Sequence, residues 1–65
     1  MDSTSLEIRI QSHVELSEMW QTLADYWRQR RDDLGDWAKR QEEQMRRNAS
    51  DERAQAEQLA ELLSN

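Results

Sequence analysis

The chain has 65 residues, of which 14 are acidic and 9 basic, giving a net charge of -5, and it contains one glycine, no proline and no cysteine. A chain this short forms one domain at most and buries only about 60% of the surface its unfolded form exposes. With no cysteine, disulfide stapling and a thiolate zinc site are both excluded as supports for a thin core. The negative balance opposes attraction to phosphate backbones and anionic lipid headgroups, so the expected partners are a second copy or another protein rather than nucleic acid or membrane.

The opening stretch MDSTSLEIRIQ lacks the basic region and apolar run of a signal peptide, and no segment approaches the roughly 20 apolar residues of a membrane span. A cytoplasmic location is therefore expected. Residues 1 to 4 are expected to be disordered. Next, Leu6, Ile8 and Ile10 alternate with Glu7, Arg9 and Gln11, the period of a half-buried strand. Residues 1–12 are thus predicted as a flexible or strand-like arm. A lone strand has to pair with a copy of itself or with another protein.

Helix is predicted from residue 13, because Ser12 and Glu15 have the spacing of a capping box. Downstream, Leu16, Met19, Trp20, Leu23, Trp27, Leu34, Trp37 and Met45 fall within about 50° of one direction on a continuous helix. That phase survives Gly35. Two outcomes compete in RQRRDDLGDW. A reversal would use Gly35 at positive φ but set Asp32 and Asp33 against the negative end of a helix dipole. A continuous helix loses about 1 kcal/mol to glycine, partly offset by Arg28 with Asp32 and Asp36 with Arg40 at about 0.3 kcal/mol each. The balance favours continuity.

The stop is placed later, in RRNASDER. Arg46 and Arg47 suit a helix C-terminus, Asn48 tolerates the left-handed conformation, and Ser50 can cap a new helix opened by Asp51 and Glu52. In an unbroken helix Glu52 would lie in the middle of the apolar face, which argues for the same break. The predicted fold is all-α. It has an extended arm, a long helix over about 13–47 and a shorter helix over about 51–64, folded as a helical hairpin and assembled as a dimeric helical bundle.

Eight of the nine basic residues lie between Arg28 and Arg53, with acids interleaved throughout, which is the pattern of a salt-bridged solvated face rather than of an anion site. Catalysis finds no support. His13 stands at the expected helix start, and Ile10 three residues before it denies the Glu-x-x-His pair of a bundle metal site. Asp32 with Asp33 and Glu42 with Glu43 are adjacent residues that diverge on a helix, and one glycine builds no phosphate loop. No catalytic, cofactor or metal site is predicted, and the chain is not expected to be an enzyme.

Function then rests on the apolar face. A short returning helix covers only Leu34, Trp37 and Met45, leaving Leu16, Met19, Trp20, Leu23, Tyr26 and Trp27 as a patch too large for an ordinary monomer surface. Arg30, Gln41 and Gln44 interrupt it, which speaks against a long regular coiled coil. The tryptophans serve either as the core of a homodimer or as anchors for a different protein, a role in which tryptophan is enriched. The expected function is a non-catalytic protein-interaction module, such as an adaptor, chaperone or inhibitor subunit. The alternative is a small DNA-related regulator, either ribbon-helix-helix-like through Glu7, Arg9 and Gln11 of the arm, or an acidic DNA mimic. The charge opposes the first form and the interleaved arginines blunt the second.

Overall fold

A computed structural model describes residues 3–64, and every described residue except Arg30 and Gly35 is helical. Helix α1 spans Ser3–Gln29, a single-turn α2 spans Arg31–Leu34, and α3 spans Asp36–Ser64. The all-α class is as expected. The positions of the breaks are not.

α1 and α3 pack side by side along their lengths. His13 meets Glu52, and Trp27 meets Trp37, so the two helices run antiparallel in one register. That register sets Trp20 level with Met45, and Leu6 near one end level with Leu59. The Cα envelope is a rod of 49 × 13 × 12 Å.

The seam between them follows a 3-4 spacing on each helix. On α1 it is Leu6, Ile10, His13, Ser17, Trp20, Ala24 and Trp27, all of them buried or half-buried. On α3 it is Ala38, Glu42, Met45, Ala49, Glu52, Ala56 and Leu59, again all buried or half-buried. Such spacing keeps one stripe facing a partner helix over many turns. The most buried members are small. Ala24 and Ala38 are fully covered, Ala49 and Ser17 nearly so, and no large side chain among the described residues is fully buried. Small residues let the two backbones approach closely, at the expense of the apolar area a larger core would bury.

The chain reverses at Arg30–Gly35. α1 stops at Gln29, where the Arg30 amide donates to the Trp27 carbonyl at 3.1 Å in a tightened last turn. α2 restarts at once, with Asp32 and Asp33 in its first turn. The two acids therefore sit at the favourable end of a new helix instead of the unfavourable end of the old one. The Leu34 amide donates to the Arg30 carbonyl and the Gly35 amide to the Arg31 carbonyl, and Gly35 then turns the chain at φ 61°, ψ −137°. L side chains avoid that region. Lys39 closes the first turn of α3 by donating to the Gly35 carbonyl.

Four expectations are corrected. The extended arm over 1–12 is not extended in its described part: Ser3 and Thr4 already belong to α1, while Met1 and Asp2 lie outside the described residues. Leu6 and Ile10 are one helical turn apart and both face α3, whereas Ile8, their partner in the strand pattern, is 61% exposed. A helix seats Leu6 against an element already present, while a strand would need a partner strand. The ribbon-helix-helix-like alternative needs a strand here, and the described residues of this stretch are helical. The helix start at residue 13 also falls, because the Ser12 hydroxyl donates to the Ile8 carbonyl within the same helix and Glu15 accepts from Gln11. Continuity through Gly35 is replaced by the reversal. In a continuous helix Trp27 and Trp37 would stand about 15 Å apart along the axis, but here their rings meet edge to face at 5.0 Å.

The break at 48–50 does not occur, and α3 passes through it. Asn48 accepts a hydrogen bond from Gln44 at 2.9 Å, and Ala49 is part of the seam. Glu52 does lie in the middle of the packed face, as an unbroken helix requires. It is tolerated there because His13 of α1 stands opposite, with Nδ1 and Oε2 2.5 Å apart.

Candidate protein-interaction face

An antiparallel pair of right-handed helices has two flanks, and the sequence assigns each residue to one of them. At about 100° per residue, side chains just before the seam positions Trp20, Trp27, Ala38 and Met45 project to one flank, and side chains just after seam positions project to the other. Asp25 and Arg46 follow the seam residues Ala24 and Met45, and they meet at 3.5 Å on that second flank.

The second flank is charged. Glu18, Asp25, Arg28, Lys39, Glu43, Arg46, Arg53 and Glu57 all project to it. Its ion pairs reach into the seam. Arg46 donates through Nε to Glu42 at 3.0 Å, and Nη2 of the same guanidinium lies 2.9 Å from that carboxylate. Arg31 stands 3.8 Å from the other Glu42 oxygen. Nearly buried, Glu42 is held by cations from α2 and α3, as a buried carboxylate requires.

The first flank carries no charge along its middle among the described residues. α1 contributes Leu16, Met19, Leu23 and Tyr26, all exposed, with the edges of half-buried Trp20 and Trp27 beside them. α3 contributes Trp37, Gln41, Gln44 and Asn48. Charges appear only at its margins: Glu15 on the outer edge of α1, Arg40 and Arg47 on that of α3, Arg9 and Asp51 toward the termini, and Arg30 at the turn.

Near the turn the aromatic rings are ordered by one another. Tyr26 meets Trp27 at 5.1 Å and 77°, and Trp27 meets Trp37 at 5.0 Å and 87°. Both are edge-to-face arrangements that suit the ring quadrupoles, each contributing about 0.5–1.5 kcal/mol beyond area burial. The Arg30 guanidinium lies over the Tyr26 ring at 5.0 Å. Trp37 remains 48% exposed and Tyr26 45%, so the cluster is in mutual contact yet open to solvent. Exposed aromatics that already pack on one another are suited to binding, because those contacts restrict the side-chain freedom that binding would otherwise cost.

The structure thus separates the expected interface residues into three groups. Leu16, Met19, Leu23 and Tyr26 line the exposed flank, and Trp20, Trp27 and Met45 are half-buried at the seam. Leu34 and Trp37 are exposed at the turn. The alanine seam, the His13–Glu52 pair and the amide row Gln41, Gln44 and Asn48 were missed, although their spacing is in the sequence. A depression of about 410 Å³ on the turn is lined by Arg28, Arg31, Lys39, Asp32, Asp36 and Gly35, with acids again interleaved among the cations. Among the described residues no three metal-ligating side chains come together, and no helix is long and apolar enough to cross a membrane. Comparison with protein-family models, with curated proteins and with solved structures finds no match.

Proposed function

We propose that this chain is a protein-interaction module, a two-helix rod that binds through the flank formed by Leu16, Met19, Leu23, Tyr26 and Trp37. The observation that carries this reading is the absence of charge, among the described residues, along the middle of that flank in a chain where 35% of residues are charged. A solvated surface has no reason to exclude charge, whereas the centre of a protein interface is depleted in charge and enriched in aromatic residues and methionine. Ion pairs support the opposite flank, and no such pairing is needed on this one. The partner is expected to be helical, because residues at 16, 19, 23 and 26 form a straight stripe of the kind that packs into the groove of another helix.

The test is site-specific photocrosslinking in cells. A benzoylphenylalanine at Met19 should give discrete covalent adducts to protein, and the same group at Gln21, on the charged flank, should not. Equal labelling at the two positions, or none at Met19, refutes the reading.

A further inference from the structure

We infer that the occupant of the uncharged flank is a second copy of this chain, the two hairpins packing flank to flank as a four-helix bundle. The inference rests on the reading of that flank as a protein interface, and three observations select the partner.

The first is area. The chain exposes 4995 Å², whereas a compact monomer of 7.8 kDa exposes about 4,400 Å². The excess of roughly 600 Å² per chain is close to the ~800 Å² that each partner gives to a standard interface. Covering one flank of the rod brings its exposure to the level of an ordinary folded protein.

The second is charge. Two copies with a net charge of -5 each repel one another, and contact through the charged flanks would oppose like groups at short range. The uncharged flank is where two copies can approach without setting carboxylate against carboxylate. Its polar members are amides, and an amide is both donor and acceptor. Across a twofold axis perpendicular to the rod and passing near Gln44, Gln44 can meet its own copy while Gln41 of each chain meets Asn48 of the other, which is the self-complementarity an isologous interface demands.

The third is the core. Among the described residues of one hairpin the buried apolar side chains are Leu6, Leu59 and four alanines, with Ile10, Trp20, Trp27 and Met45 only half-buried, a thin core for a chain of this length. The larger apolar side chains, Leu16, Met19, Leu23, Tyr26 and Trp37, stand on the flank and would form the centre of the bundle.

Sedimentation equilibrium on the intact chain at micromolar concentration should give twice the mass of 7.8 kDa. Leu23→Glu should raise the dissociation constant by at least about 100-fold, since the twofold axis applies the change twice at a central position, while Gln21→Glu should leave the dimer intact. Should Leu23→Glu fail to fold, Gln44→Glu gives the same information, because Gln44 is exposed and outside the seam. A folded wild-type monomer overturns the inference, and so does a dimer that survives both flank variants unchanged. The crosslinking at Met19 separates the two failures. A monomer that still crosslinks to other proteins retires the second copy and keeps the interface, and a monomer without adducts retires both.

Discussion

Replacing Gly35 tests the turn on which the hairpin depends. The glycine holds φ 61° and ψ −137°, and a Cβ built on it would meet nothing within 4 Å. Steric collision with the rest of the molecule is therefore absent, and the effect of a side chain is confined to the backbone. For L-alanine that conformation costs on the order of 1–3 kcal/mol, a large share of the stability of so small a domain. With a shift of about 4–8 °C per kcal/mol at this size, Gly35→Ala should lower the melting temperature by roughly 10 °C. D-alanine reverses the sign. A D residue has mirror-image preferences, and inverting the signs of both Gly35 angles gives the ordinary extended backbone that L residues adopt freely. The unfolded chain also loses freedom, so D-alanine should stabilise by about 0.4–1 kcal/mol. The chain is short enough for chemical synthesis, and thermal unfolding followed by circular dichroism at one fixed protein concentration reads both variants. A helix passing through Gly35 predicts the opposite order, with L-alanine gaining up to about 1 kcal/mol and D-alanine losing. That order would refute the reversal.

Two further outcomes follow from the seam. Ala49 is 2% exposed where α1 and α3 pack, so Ala49→Leu should destabilise by about 1–3 kcal/mol through overpacking, measured by urea denaturation, while Ala54→Leu on the exposed side should stay within about 0.5 kcal/mol of wild type. The His13–Glu52 pair predicts non-additivity: either residue changed alone to leucine leaves a half-buried polar partner and should cost about 1–3 kcal/mol, whereas the double leucine variant should equal or exceed wild type. Additive losses in that cycle would show that the two side chains do not interact.

The helical class, the reversal options at Gly35 and the apolar residues of α1 were legible because each depends on local chemistry. What misled was local chemistry too. Ser12 with Glu15, and Asn48 with Ser50, have the right groups for helix ends, but a capping group stabilises by only about 1 kcal/mol, and a seam that continues past it outweighs that. The seam was hard to see because it is written in Ala, Ser, His and Glu, residues that a search for apolar periodicity discounts. Glu52 shows the difficulty plainly. Its place in the packed face was evident on a helical wheel, but its acceptability depended on His13, which is 39 residues away. The charge-free flank was visible only in part, because the aromatic stripe on α1 stands out while Gln41, Gln44 and Asn48 read as interruptions until α1 and α3 are placed side by side.

The antiparallel register also orders the molecule in time. Trp27 and Trp37 are joined by a short connection, whereas His13 and Glu52 close a loop of 39 residues, and the entropy of closure rises with the length enclosed. Once the turn and its aromatic cluster have formed, each further seam pair extends an existing ladder instead of closing a new loop. On loop-closure entropy alone, assembly of the hairpin is expected to run as a zipper from the Gly35 end. Opening runs the other way. Amide exchange should be fastest near Ser3 and Ser64 and slowest around Ala24 and Ala38, so the part of the rod that carries the aromatic surface is also the last to come apart.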